Sequence, residues 1–254
     1  MHAIEHDREK LEQAAGRLSR SERTIVSTGS GISRESGIPT FRGEDGLWQN
    51  HRPEELASRE GFLSNPGLVW RWYRERLGTA RAKQPNPGHR AIARLEPLIP
   101  NFLLITQNID NLHRRAGSKE IVELHGNIER YRCFEYSHPA EEDPQWGDEP
   151  PRCHCGSIIR PDVVWFGEPL PEAEIECAFR ESARCDTFLV VGTSGMVQPA
   201  ALLPQVARNA GALLIEVNET PSEITPIVDI FLQGKAGETL PPLVDRIEEL
   251  VSRG

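Results

Sequence analysis

Five short apolar runs, rich in β-branched residues, recur along the chain. They are "TIVST" (24–28), "FLLIT" (102–106), "TFLVVG" (187–192), "ALLIEV" (212–217) and "DIFLQG" (229–234). Strands apolar on both faces must be covered on both faces, which is the situation of a parallel sheet with helices above and below. Helical spacing fills intervals between the runs. Leu11, Ala14, Ala15 and Leu18 share one face, as do Leu240, Leu243, Val244, Ile247, Leu250 and Val251. Strands alternating with helices predict an α/β fold, a Rossmann-like doubly wound parallel sheet.

Two stretches break the rhythm. Residues 34–88 are rich in Arg, Trp and turn residues, and residues 127–165 carry the acidic, proline-rich "HPAEEDPQWGDEPPRCHCG". They read as two insertions that build a smaller accessory module. The sheet domain is then expected from residues 1–33, 89–126 and 166–254, and the small module from 34–88 and 127–165.

Composition narrows the function classes. With 29 basic against 38 acidic residues, the net charge of -9 argues against a general nucleic-acid binder, which needs a basic face. The charged start "MHAIEHDREKLEQAAGRLSR" lacks the apolar core of a signal peptide, and no apolar run approaches a membrane span. Five cysteines without a secretion signal favour a reducing, cytoplasmic setting, with thiols or metal ligands rather than a disulfide framework. Cys177 and Cys185 fall in a predicted helix and at its end and read as inert core thiols.

In open parallel sheets, ligands bind beyond the carboxyl ends of the strands. Four such ends carry glycine, hydroxyl or amide residues: "TGSGIS" (28–33), "TQNIDNLH" (106–113), "GTSGMVQP" (192–199) and "NET" (218–220). Any one alone is a plain turn; four together point to a shared polar crevice. Gly29-Ser30-Gly31 would let backbone N–H groups approach a phosphate. A full dinucleotide fingerprint would want glycine at 34, where the chain has Arg34, so the loop suggests a nucleotide phosphate without naming the nucleotide. Arg42, in "GIPTFRG" (37–43), could meet a phosphate or pair with a surface acid.

These residues, with "ELHGN" (123–127), "VVWFGE" (163–168) and "GKAGE" (234–238), resemble the sirtuins in order along nearly the whole chain. "TQNIDNLH" and His125-Gly126 carry most of the specificity. The resemblance implies an NAD-binding Rossmann-type domain, a small module with a zinc-ribbon-like segment, and an acyl-lysine peptide held between the two. It implies an NAD-dependent protein lysine deacylase. His125 would be the general base, with Asn108 and Asp110 holding the nicotinamide amide and ribose. NAD contacts would include Gly29, Ser30, Gly31, Ser33, Thr40, Phe41, Arg42, Gln107, Ile109, Gly192, Thr193, Ser194, Asn218 and Ala236. Val164, Phe166 and Gly167, in a strand over "FGE", would pair with the peptide backbone. In the family's reaction the acyl oxygen attacks the ribose, nicotinamide leaves, and the acyl group ends on ADP-ribose. Asn111, Leu112 and His113 read as the start of the next helix, without a catalytic task.

Tyr73 and Arg76, three apart in "VWRWYRERL" (69–77), share a helix face whose Val69, Trp72, Tyr73 and Leu77 point to the core. In one sirtuin class a Tyr-x-x-Arg pair binds acidic acyl groups, and Arg offers a two-pronged match to a carboxylate. Succinyl or malonyl lysine, besides acetyl, is therefore the expected substrate. The four-cysteine zinc pattern of the family is incomplete. Tyr136 stands where a second cysteine belongs, and Cys153-His154-Cys155 is contracted. Cys133, Cys153 and Cys155 with His138 or His154 could bind zinc; otherwise the module would keep its shape by packing, through Trp146 and the proline-rich turn. An ADP-ribosyltransferase or NAD hydrolase on the same scaffold is the rival catalytic reading. A silent NAD sensor is disfavoured by the presence of His125, Asn108 and Asp110. The sequence names neither protein substrates nor oligomeric state.

Overall fold

The computed structural model describes residues 2–40, 52–140 and 147–253. Phe41, Arg42 and Trp146 lie outside the described residues. The described strands are β1 (Arg23–Thr28), β2 (Asn101–Thr106), β3 (Ile121–Glu123), β4 (Gly126–Cys133), β5 (Ile159–Val163), β6 (Thr187–Val191), β7 (Leu213–Asn218) and β8 (Ile230–Gln233). Six form one sheet in the order β3-β2-β1-β6-β7-β8, and every pairing in it is parallel. All five apolar runs are strands of this sheet. Side chains alternate across it. Val26, Leu104, Leu189 and Ile215 enter one core with Ala14, Leu18, Ile92, Leu95, Leu243 and Ile247. Their neighbours Ile25, Ile105, Phe188 and Leu214 enter the other, against Ala178, Leu203 and Ala207.

The first core is closed by α1 (His2–Leu18), α6 (Pro87–Leu95) and α10 (Ala236–Val251); the second by α8 (Glu172–Ser182) and α9 (Leu203–Asn209). The start of α6 is fixed locally. Asn86 caps it, accepting from the N–H groups of Gly88 and His89, and Pro87 takes the first turn, where no N–H is needed. Val251, at the end of α10, is exposed at 39% rather than buried. Cys185 is buried, and burial pushes its thiol up to about 12, as expected of an inert core thiol. Cys177 is only half-buried.

The remaining elements gather over the carboxyl edge of the sheet. They are α2 (Gly31–Arg34), α3 (Pro53–Leu56), α4 (Arg59–Ser64), α5 (Pro66–Ala82) and α7 (Leu112–Ala116), with the antiparallel pair β4–β5. A third hydrophobic cluster joins Phe62, Val69, Trp70, Tyr73 and Leu77 to Tyr131, Phe134 and Trp165. Its rings are in contact: Phe62 lies 5.1 Å from Trp165 and 5.3 Å from Phe134, centroid to centroid. The expected "FGE" strand is not formed. Phe166 makes one parallel bridge to Ser58, then Gly167, at φ 82°, turns the chain so that Glu168 points inward. No described helix is long and apolar enough to cross a membrane.

The sheet's centre depends on two glycine loops touching without side chains. The N–H of Gly31 donates to Gly192 O at 2.8 Å, and that of Gly29 to Val191 O at 3.1 Å. A Cβ on Gly192, which sits at φ 60°, would lie 2.5 Å from the Ile32 nitrogen. Gly192→Ala is therefore expected to cost at least about 2 kcal/mol, from the left-handed backbone and the clash together. Denaturant unfolding against wild type checks this, and a loss under about 0.5 kcal/mol would contradict the close-approach argument.

Candidate functional site

The loops after β1, β2, β6 and β7 converge on a cavity of about 810 Å³. Gly29, Ser30, Gly31, Thr40, Gln107, Asn108, Ile109, Gly192, Thr193, Ser194 and Asn218 line its sheet side. Tyr73, His125, Val164, Phe166 and Gly167 complete its lining. Residues expected at one site from seven separate segments are thus brought together. Ser33, Arg76, Asp110 and Ala236 lie behind the lining. Ala236 is 7% exposed and packs against Gly88. The glycines of "TGSGIS" serve the fold first, since the N–H groups of Gly29 and Gly31 are spent on the β6 loop.

The polar cluster after β2 is aimed by a buried network. Thr106 Oγ1 accepts from the Asn108 N–H at 3.0 Å and from Thr28 Oγ1 at 2.8 Å. Asn108 Nδ2 donates to Gly29 O and to Ser33 Oγ, and among the described residues its Oδ1 accepts nothing. Asp110 is occupied at both oxygens. Oδ2 accepts from Ser33 Oγ at 2.6 Å and Oδ1 from the Leu112 N–H at 2.9 Å, which starts α7. Burial raises its pKa above the usual carboxylate value. Behind Ser33, His89 and His113 face each other with ring centroids 4.8 Å apart, and burial pushes His89 down to about 3 and His113 well below the ordinary value. Both rings are neutral at neutral pH.

His125 sits in the tight turn between β3 and β4. Gly126 makes that turn at φ 77°, and a Cβ there would meet Asp162 O. The His125 ring nitrogen Nδ1 lies 3.0 Å from Gln107 O. A carbonyl only accepts, so Nδ1 carries the proton and Nε2 keeps its lone pair. Burial lowers the pKa of His125, leaving a neutral base at neutral pH.

The wall opposite the sheet contains a charged cluster that sequence reading did not single out. Arg160 is 1% exposed and donates to both oxygens of Glu168, at 2.5 and 3.0 Å. Glu168 also accepts from Arg132 at 3.2 Å and from the Trp165 N–H at 2.9 Å, with Arg59 3.7 Å away. Arg160 stacks on the Trp165 ring, 3.2 Å from its centroid. The available signal was the pair of opposite charges framing an apolar run in "RPDVVWFGE". Tyr73, on α5, accepts from the Trp165 indole N–H at 2.9 Å, and Arg76, one turn on, lies over the Trp72 ring at 4.7 Å.

A second cluster lies at the far end of the β4–β5 pair. The ligand atoms of Cys133, His138, Cys153 and Cys155 all lie within 4.8 Å of one another. Cys133 and Cys155 are 3.6 Å apart at sulfur, and Cys153 Sγ is 3.7 Å from His138 Nε2. A tetrahedral zinc with bonds of about 2.3 Å to sulfur sets its ligand atoms roughly 3.8 Å apart, so the donors fit. The tautomer fits as well. His138 Nδ1 donates to Pro139 O at 3.2 Å, which leaves Nε2 as the acceptor on the cluster side. Tyr136 is 69% exposed and stands outside the cluster, whose fourth donor is His138. Zinc held there would tie β4 to the 153–155 loop and do no chemistry at the cavity. Protein loaded with Co²⁺ should bind roughly one equivalent per chain with strong thiolate charge-transfer absorption. His138→Ala should weaken that binding at least about tenfold and His154→Ala should not; an unchanged Co²⁺ titration for His138→Ala would remove His138 from the site.

Comparison with known proteins agrees with this geometry. The Sir2 family model matches residues 29–199. "NAD-dependent protein deacylase 2" of Pyrobaculum aerophilum is 51% identical over 232 residues, 91% of this chain and 93% of that protein. A Sir2 homologue solved as an ADP-ribose complex superposes with a TM-score of 0.91 at 43% identity, covering 95% of this chain and 98% of that one. Another, solved with 2'-O-acetyl ADP-ribose, gives a TM-score of 0.88 at 44% identity over 94% of this chain and 97% of that one. Family model, sequence relatives and fold agree over most of the chain, which belongs to the Sir2 family.

Proposed function

We infer that this chain is an NAD-dependent protein lysine deacylase that removes succinyl or malonyl groups, and acetyl groups besides. The observation that carries the deacylase reading is His125. It is a neutral imidazole on the cavity wall whose Nδ1 proton is held by Gln107 O, lining one cavity together with the strand-end amides. Relatives named as NAD-dependent protein deacylases, and a homologue solved with an acetylated ADP-ribose, support it.

NAD, when bound, supplies a ribose carbon that loses nicotinamide and receives the acyl oxygen. The chain's own residues do the rest. Asn108 is tied through Nδ2 and presents Oδ1, which suits an acceptor role toward a carboxamide or hydroxyl. Gly29, Gly31 and Gly192 let the loops after β1 and β6 close on each other, which sets the shape of the backbone a pyrophosphate would meet. His125 Nε2 takes a proton from the ribose hydroxyls. Val164 and Phe166 flank the wall along which an extended peptide would lie; Phe166 is exposed at 47%.

The acidic-acyl part rests on α5. Tyr73 lines the cavity, and Arg76 is a largely desolvated cation one turn further on. Burial lowers the Arg76 pKa yet leaves an arginine charged at neutral pH, and a cation short of water attracts a carboxylate strongly.

His125→Ala should lower kcat at least about a hundredfold in a nicotinamide-release assay with acyl-lysine peptide. Equal rates for the two proteins would end the general-base assignment. Because burial depresses the His125 pKa, the base stays competent below the ordinary histidine value. The acidic limb of kcat/KM should therefore fall below pH 6.5, and a limb above pH 7 would contradict a buried neutral base. On a panel of acyl-lysine peptides wild type should prefer succinyl over acetyl, and Arg76→Met should abolish that preference. A variant that still favours succinyl-lysine would sink the pocket assignment.

A further inference from the structure

We propose that Trp165 is a positioning residue for acyl-chain recognition, acting by dictating which way the Tyr73 hydroxyl donates. The inference rests on the acyl-pocket reading above.

A phenol hydroxyl has one proton, which lies near the ring plane and so has two orientations. The indole N–H can only donate. Trp165 Nε1 lies 2.9 Å from Tyr73 Oη, so Tyr73 must be the acceptor of that bond. It is the only hydrogen bond Tyr73 makes among the described residues. The Tyr73 proton is therefore turned away from Trp165 and is the one donor this side chain can offer to a ligand. Burial raises the Tyr73 pKa to about 12, so the proton is present throughout the neutral range. Tyr73 is 4% exposed and lines the cavity, so its remaining donor is of use only to what enters there.

Trp165 is itself unable to turn. Its backbone N–H donates to Glu168, its ring is stacked under the Arg160 guanidinium at 3.2 Å, and Phe62 packs on it at 5.1 Å. Glu168 in turn donates its own backbone N–H to Trp165 O at 3.0 Å, closing the turn. The indole is thus a fixed donor in a dry setting, and a fixed donor sets the direction of its acceptor. A carboxylate-bearing acyl chain gains most from this arrangement, because it accepts from Tyr73 while meeting Arg76. An acetyl group has no terminal oxygen to receive the bond.

The test compares succinyl- and acetyl-lysine peptides of one sequence at saturating NAD, for wild type, Trp165→Phe, Tyr73→Phe and the double variant. Replacing Trp165 with benzothienylalanine keeps the ring shape and the arginine stack and deletes only the N–H, which covers the case where the Phe variant folds poorly. Both Trp165 replacements should raise KM for the succinyl peptide roughly fivefold, with kcat and the acetyl KM within about twofold of wild type. They should add nothing on the Tyr73→Phe background. An equal loss on both peptides, a change confined to kcat, or an additive double variant would overturn the proposal while leaving the acyl pocket intact. A wild-type enzyme with no succinyl preference would instead remove the pocket reading, and this proposal with it.

Discussion

The site depends on three strands lying parallel and level. Thr28, Thr106 and Val191 are partners across β1, β2 and β6, so all three strands end at one height. Their loops then leave the sheet together and must share the space above it. At this point two backbones come close enough that Gly31 N–H bonds to Gly192 O. Side chains at either position would push the loops apart. The crevice is thus a consequence of parallel register plus absent Cβ atoms, and the polar residues beside it inherit their directions from that geometry.

Beneath the crevice the structure spends buried polar groups freely. Asn108 donates to Ser33 and Ser33 to Asp110, and Thr28 and Thr106 bond across the sheet at 2.8 Å. The charge state matters. His89 and His113 are held neutral by burial, so the network carries at most one charge, on Asp110. Folding with depressed histidine pKa values means the unfolded chain binds more protons below the ordinary value of 6.5, so this part of the fold loses stability as pH falls from there toward about 3. Arg76 supplies a nearby positive charge that favours the ionised form of Asp110, which burial opposes. The floor of the site is therefore rigid and near neutral, suited to orienting amides and hydroxyls rather than to attracting charge.

How much of this was legible follows from what each residue's pattern reports. The five sheet strands were legible because burial on both faces leaves continuous apolar runs. β3 is a three-residue edge strand with two half-buried residues and carries no such run. β4 and β5 were not legible, because "GNIERYRC" is largely polar and β5 contains Pro161. The placement of Tyr73, His125 and the strand-end amides around one cavity followed from family resemblance and strand logic together. The fourth member of the thiol cluster was open between His138 and His154, since spacing alone says nothing about ring orientation. Both rings reach Cys153, His154 Nδ1 at 3.6 Å and His138 Nε2 at 3.7 Å, and only the structure shows that His138 is the one gathered with all three sulfurs. Asp110 shows the opposite limit. Its chain position places it with the site, yet both oxygens are spent behind it.

Local charge rather than net charge decides how an acidic chain would meet the acidic acyl group proposed above. A net charge of -9 would repel a carboxylate at long range, but screening confines that repulsion to about 10 Å. Inside the cleft the local balance decides. Arg59, Arg132 and Arg160 converge on the single carboxylate of Glu168, with Asp162 partly matching Arg132, and Arg76 lies behind the lining one turn along α5 from Tyr73. Arg160, 1% exposed, could not be buried without Glu168, and Glu168 could not be turned inward without the arginines. The same mutual dependence fixes the Trp165 ring between a guanidinium and Phe62. Charge buried for structural reasons thus holds the Trp165 side of the cavity in place, and of this cluster Glu168 is the member that reaches the lining.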